Sequence, residues 1–397
     1  MSWSRCYELA FGKACGEVAP SKALKKPVVL DEDNVWQLNL DMVESGSGKV
    51  LNKIKAPLNE AGSSTHWFDS RHVLYSKLRP YLNKVVLPDE QGLATTELVP
   101  MLPDPERLDR RYLVHYLRSK QFVSWISDQV AGAKMPRVSM KVFWDHEIPL
   151  PPLEEQKRIA AILDKADVIR QKRKQAIELA DEFLRSVFLD MFGDPVTNPK
   201  GWEVRNLQNL TSKLGSGSTP RGGKEAYLSE GISLIRSLNV HDNTFIYKDF
   251  AFISNEQAEK LKNVVVQEQD ILLNITGASV CRCTIVPNNV LPARVNQHVC
   301  IIRVDRALLL PEFAKRLITS TSFKQMLLRI ATSGGATREA LTKQQVENLS
   351  LIVPPMELQK KFCDMVGKVL DVDTRTNKQV AFPLFDSLSQ KAFSGQL

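Results

Sequence analysis

Two hydrophobic patterns alternate along this 397-residue chain. Residues 1–150 and 196–353 are rich in short β-type runs bounded by turn-forming residues, among them Ile271–Thr276, Cys283–Val286 and Val299–Val304. A helical segment interrupts each stretch, near 110–127 in the first and near 311–330 in the second. Each stretch ends at a proline pair, beyond which apolar residues take helical spacing over 151–195 and 354–397. The pattern predicts an α+β protein in which two similar β-rich domains are each followed by a long helix.

The proline pairs set where the helices start. Pro152 holds Pro151 extended, and proline is tolerated only in a helix's first turn. Glu154 and Glu155 then suit the positive end of the helix dipole. A strand should end at Leu150 and a helix begin near Leu153, with Val353 and Met356 as the second pair of boundaries. In the first helix Ile159, Leu163, Ala166, Ile177, Ala180, Leu184, Val187 and Met191 follow a 4-3 spacing, with Arg170 and Arg173 in the intervening seam positions. That spacing predicts pairing with another helix, as in a coiled coil. The competing expectation is an amphipathic helix lying on its own domain's core. About 38 residues would span about 60 Å, too long to hide against a domain of this size. In the second helix Pro383 predicts a kink or restart near Phe382, with a further segment over roughly 384–393.

The two halves repeat one another. Pro151-Pro152-Leu153-Glu154 with Gln156 and Lys157 matches Pro354-Pro355-Met356-Glu357 with Gln359 and Lys360, 203 positions later. Tyr112, Leu117, Ser119 and Phe122 match Phe313, Ile318, Ser320 and Phe323 at 201. Leu38-Asn39-Leu40 pairs with Leu238-Asn239-Val240, His72–Tyr75 with Asp270–Leu273, and Gly132, Val138 and Ser139 with Gly335, Leu341 and Thr342.

A formal net charge of +8 favours a polyanionic partner, nucleic acid first and an anionic membrane surface second. No stretch approaches the roughly 18 apolar residues of a membrane helix. The N-terminus lacks a signal-peptide layout, so a cytoplasmic location is expected. The six cysteines include no Cys-x-x-Cys, which argues against zinc. Cys281 and Cys283 alternate on an apparent strand and should face opposite sides or share an edge.

Catalytic motifs are missing. The residues before both proline pairs, Leu150 and Val353, are apolar, where an amino-methyltransferase needs a polar residue to hold the flipped base. Ser218–Glu225 fails the phosphate-loop pattern at its first and last positions. Pro103-Asp104 with Glu155-Gln156-Lys157 meets the letter of a magnesium-nuclease motif, but Glu155 falls on a helix's first turn.

Leu189–Trp202, which contains Phe192-Gly193-Asp194-Pro195, resembles the exit of the first spacer helix in type I restriction–modification specificity subunits, and Gly215–Pro220 resembles the opening loop of their target recognition domains. The resemblance covers nearly the whole chain. It implies target recognition domains at 1–150 and 196–353 and spacer helices at 151–195 and 354–397, packed antiparallel about a pseudo-twofold. It implies a non-catalytic subunit that reads double-stranded DNA as two short words across a fixed unread gap. It also implies two methyltransferase subunits and two restriction subunits as partners. The chain would hold no cofactor of its own; S-adenosylmethionine, ATP and magnesium would belong to those partners.

Candidate DNA-contact residues lie in polar, basic, glycine-containing loops. In the first domain they are Lys77, Arg79, Tyr81, Lys84, Lys134, Arg137 and Ser139. In the second they are Ser216, Ser218, Thr219, Arg221, Lys224, Asn274, Thr276, Ser279, Arg282, Ser333, Thr337 and Arg338. Thr95–Glu97 and Asn296-Gln297 occupy corresponding places and are assigned to support of the fold. Two other classes compete: an autonomous DNA nuclease with duplicated domains, and a structural adaptor that reads no bases.

Overall fold

The computed structural model describes residues 12–29, 31–130, 135–219, 227–333, 339–377 and 383–397, with 372–377 and 383–384 described in backbone only. The chain divides into two compact units, one formed by residues 1–175 with 377–397 and the other by 176–376. Their boundaries fall 201 residues apart, the spacing of the repeat. No described helix is long and apolar enough to cross a membrane.

In the first unit β1 (Lys13–Ala14) leads into the short helix α1 (Cys15–Val18). Seven strands follow: β2 (Val35–Leu38), β3 (Lys55–Ala56), β4 (Thr65–Phe68), β5 (Val73–Ser76), β6 (Val85–Val86), β7 (Gly92–Thr95) and β8 (Leu98–Met101). They form a sheet ordered β3-β2-β7-β4 and another ordered β6-β5-β8. Helices α2 (Arg110–Leu117), α3 (Lys120–Asp128) and α4 (Met140–Asp145) come next, and β9 (Glu147–Ile148) returns to pair with β1. Then α5 runs through Leu153–Phe192.

The second unit repeats the plan. Its strands are β10 (Glu203–Asn206), β11 (Thr211–Ser216), β12 (Ile232–Ile235), β13 (Val240–His241), β14 (Thr244–Phe245) and β15 (Ala251–Ile253), with α6 (Asn255–Lys260) after them. Next come β16 (Val265–Val266), β17 (Ile271–Asn274), β18 (Cys283–Ile285), β19 (Ala293–Val295) and β20 (Val299–Val304). Helices α7 (Pro311–Thr319), α8 (Thr321–Thr332) and α9 (Lys343–Glu347) precede β21 (Ser350–Val353) and α10 (Met356–Asn377). The sheets run β11-β20-β17-β18 and β15-β12-β19-β16. The parallel pair β2/β7 has its counterpart in β12/β19, and β5/β8 in β17/β20.

The expected helix starts at Leu153 and Met356 are those observed. Both depend on one buried amide. Gln156 is fully buried; its Nε2 donates to the carbonyls of Arg107 and Pro151 (2.9 Å each), and its Oε1 accepts the Asp109 N–H (2.9 Å). Gln359 does the same with the Leu308 and Pro354 carbonyls (3.1 and 2.9 Å) and the Leu310 N–H (2.9 Å). The repeated glutamine thus ties the first turn of each long helix to the loop that enters α2 or α7. Each expected helical segment is in fact two helices, broken at Ser119 and Ser320, which both take extended backbone angles.

The chain's last helix, α11 (Pro383–Phe393), begins at the proline that the sequence marks as a restart. Residues 378–382 lie outside the described set. Within the first unit α11 takes the place that the end of α5 takes in the second. Phe393 packs edge-on to Tyr112 (5.5 Å between centroids) as Phe192 packs on Phe313 (4.8 Å), again 201 residues apart.

Three expectations change. The seam on α5 is not one continuous helix-pairing stripe: Ile159, Leu163 and Ala166 are buried in the first unit, and Ile159 and Leu163 belong to its core. Leu184 and Val187 pack in the core of the second, while Ile177 is exposed and Ala180 half-buried. The two ends of the helix therefore satisfy their apolar faces on their own domains. Second, Leu38-Asn39-Leu40 corresponds to Ile235-Arg236-Ser237. Asn39 and Arg236 each precede a one-turn helix with matching bonds, so the register is 197 and the Leu238–Val240 match is accidental. Third, Cys281 has a φ of +67° and lies before β18 rather than on it, and it and Cys283 are buried in one core, so they do not face opposite sides.

Candidate nucleic-acid interface

Antiparallel pairing brings loop ends of the second unit to one edge. Ser216 at the end of β11 faces Cys300, and Asn274 at the end of β17 faces Val299. The segments 216–219, 275–279 and 296–298 therefore emerge side by side, and Thr276 bridges to Ala340. Ser216, Ser218, Thr219, Thr276 and Ser279 gather there, Ser218 exposed and the others half-buried. Ala340 donates to the Ala331 carbonyl (3.2 Å), which keeps Ser333, at the end of α8, near the same edge. Arg282 lies against the His241 ring, with Nη1 3.3 Å from Nε2. Arg221, Lys224, Thr337 and Arg338 lie outside the described residues.

A chain of polar side chains runs along this edge. The Thr219 hydroxyl bonds Gln297 Oε1. Gln297 Nε2 lies 3.2 Å from His298 Nε2, and His298 Nδ1 lies 2.5 Å from Thr276 Oγ1. Asn296 is buried, and its Oδ1 accepts the His298 N–H (3.1 Å). So Asn296 supports the fold as expected, whereas Gln297 is exposed.

The first unit places Lys77, Arg79, Tyr81, Arg137 and Ser139 at the corresponding edge. Leu78 bridges to Arg137, Arg79 N–H donates to the Pro136 carbonyl (2.8 Å), and Val138 N–H to the Lys77 carbonyl (2.8 Å). Arg79, with φ +50°, and Tyr81, 53% accessible, are exposed. Arg137 Nη2 donates to Glu97 Oε1 (2.9 Å). Ser139 begins α4. Lys134 lies outside the described residues.

Two candidates leave the surface. Asn274 is fully buried and its Nδ2 donates to the Ser237 and Val240 carbonyls (2.9 and 3.3 Å), so it ties strands together. Lys84 is half-buried with Nζ on the Leu40 carbonyl (2.6 Å), which occupies the charge inside the domain. Glu97 and Gln297, assigned from sequence to support of the fold, and His298, not among the sequence candidates, lie at the surface edges; their signal was a polar triplet just before β8 or β20.

Among the described residues no group of three or more His, Cys, Asp and Glu side chains could hold a metal ion. Burial pushes the Cys281 thiol up to about 12 and Cys283 higher still, far from a thiolate nucleophile. The nuclease-like fragment is spent structurally: Glu155 pairs with Arg158 (2.7 Å) and Asp104 accepts the Glu106 N–H (3.0 Å).

Residues 45–179 and 199–381 match the type I restriction modification DNA specificity domain. The Escherichia coli type I restriction enzyme EcoDI specificity subunit is 25% identical over 51% of this chain and 47% of its own length. The MjaIX specificity subunit of Methanocaldococcus jannaschii is 23% identical over 72% of this chain and 68% of its own. In fold, the chain is similar to the solved type I restriction–modification S subunit of M. genitalium, with a TM-score of 0.58 over 96% of both chains at 14% identity. With the matched residues covering most of both units, this chain belongs to the type I restriction–modification DNA specificity family.

Proposed function

We propose that the chain is the sequence-reading subunit of a type I restriction–modification complex, each unit recognising one short word of a split site in double-stranded DNA. The observation that carries this is the duplicated polar edge: in both units the loops after β5 or β17 and before β8 or β20 come together, on scaffolds of one plan. Phosphate contacts would position the protein and base-edge contacts in the major groove would specify the words. The 40-residue α5, about 60 Å long, enters both units and would set the unread gap. Two methyltransferase subunits and two restriction subunits would complete the assembly in the cytoplasm. S-adenosylmethionine, ATP and magnesium would be theirs, and this chain would hold no cofactor and catalyse nothing.

Selection of the full chain from random-sequence duplexes tests the reading. The expected product is two short words at one fixed separation. A seven-residue insertion within residues 165–180 should change the separation and leave both words intact. A single contiguous word, or no enriched sequence, overturns the proposal, as does plasmid cleavage by the purified chain with magnesium alone.

A further inference from the structure

We infer that the turn entering β20 is a base-reading element in which Gln297 reads an adenine, and that the matching turn entering β8 reads a guanine through Arg137. This rests on the chain being a DNA specificity subunit and adds which side chains read which bases.

The second-unit turn is built to present one side chain. Asn296 N–H donates to the Ile235 carbonyl and Gly217 N–H to the Asn296 carbonyl (3.1 Å each), which anchors the turn while Gln297 stays exposed. A Cβ on Gly217 would stand 1.8 Å from the Val295 carbonyl oxygen, so only glycine lets residues 217–219 lie flat and deliver Thr219 to Gln297. The amide is then fixed from both sides. The Gln297 NH2 faces His298 Nε2 and its oxygen faces the Thr219 hydroxyl, an arrangement that needs a lone pair on Nε2 and so puts the imidazole proton on Nδ1, beside Thr276. One N–H and one oxygen lone pair remain for a ligand. That pair matches adenine, which offers N7 as acceptor and N6–H as donor in the major groove. Guanine offers two acceptors there and would leave the glutamine oxygen unpaired. An amide already held in place also loses little rotamer freedom on binding.

In the first unit Glu97 stands where His298 does, one residue before the strand. It grips Arg137 Nη2 while the Arg137 side chain stays 61% accessible. A guanidinium held by one edge keeps donors for guanine O6 and N7. The two units therefore present different hydrogen-bond patterns beside matching turns: one donor and one acceptor from Gln297, two donors from Arg137.

The test is the selection from random duplexes applied to full-length variants. Gln297→Ala should erase an adenine preference of about 5- to 150-fold at one position of one word, with every other position unchanged. Gln297→Glu, an acceptor only, should move that preference toward cytosine. Arg137→Ala should relax one guanine in the other word. His298 is a positioning residue: His298→Ala frees the amide to turn over, so the adenine preference should broaden while affinity for the parent site falls less than in Gln297→Ala. Base preferences identical to the parent in Gln297→Ala and Gln297→Glu overturn the inference and leave the specificity reading standing. So does an equal loss on all sequences, which marks a phosphate contact. A parent chain that selects no word overturns both.

Discussion

Replacing Gln359 tests how the long helix is fastened to the second unit. The side chain is fully buried and satisfies three backbone groups: the Leu308 and Pro354 carbonyls and the Leu310 N–H. Gln359→Met keeps most of the volume and removes all three bonds. Each backbone group left unpaired in the interior costs about 1–3 kcal/mol. Partial rescue by water or relaxation brings the expected total to about 3–5 kcal/mol, a large part of the roughly 5–15 kcal/mol available to a domain. With two units a single transition is not assured. Pulsed hydrogen exchange along a urea series, read by mass spectrometry, reports each unit separately. Peptides from 176–376 should exchange at markedly lower urea, while Gln156→Met should produce the same shift in peptides from 1–175. The word read by the second unit should be lost first in Gln359→Met. A Gln359→Met chain whose second unit unfolds within 0.5 kcal/mol of the parent would refute the reasoning, because shape alone would then account for the repeated glutamine.

Asp270 is fully buried against Arg303, with both guanidinium contacts at 2.7 Å, so Asp270→Ala should destabilise the second unit by about 3–5 kcal/mol and Asp270→Leu with Arg303→Met by much less, as urea midpoints would show. Burial acts to raise the Asp69 carboxyl, but bonds from Arg71 and His72 outweigh it and hold the group at about 2 rather than 3.8. A depressed carboxyl stabilises the fold fully above about pH 4 and ceases to as pH falls through about 2; Asp69→Asn should therefore cost about 1–2 kcal/mol at pH 6 and progressively less toward and below pH 2, measured by chemical denaturation across that range. Burial lifts the thiols of Cys15 to about 12 and Cys300 to about 11, so iodoacetamide labelling should be slow in the native chain and fast in 6 M urea, with peptide mapping as the readout.

The residues that announced the fold are those whose physics is local. Pro152 and Pro355 are tolerated only at the start of a helix, and each immediately precedes one. The serines at 119 and 320 were matched across the repeat, but the helix breaks they make in both units were not read from the sequence. The glutamines at 156 and 359 were legible as a match, but their role was not, because their partners lie some fifty residues away in sequence. The seam on α5 was misread for a related reason. A 4-3 pattern states that a face is buried, not what buries it, and each end of this helix found its own domain first. Leu238-Asn239-Val240 shows the opposite failure: a near-match in letters at nearly the expected spacing, yet three residues out of register.

The contrast between the two kinds of position bears on the reading of DNA. Where a side chain closes backbone bonds in the interior, the two units carry the same residue, as at Gln156 and Gln359. Where the same backbone turn faces solvent, they differ: Thr96 and Glu97 in one, Gln297 and His298 in the other. An exposed exchange of this kind costs a domain little, since surface substitutions usually change stability by less than about 0.5 kcal/mol. The identical scaffold can therefore keep its register while the hydrogen-bond pattern it displays is rewritten. This is why the fold was legible in the sequence and the words were not: a buried glutamine has one solution set by its backbone partners, whereas the meaning of Gln297 depends on Thr219 and His298, brought beside it only by β11, β17 and β20.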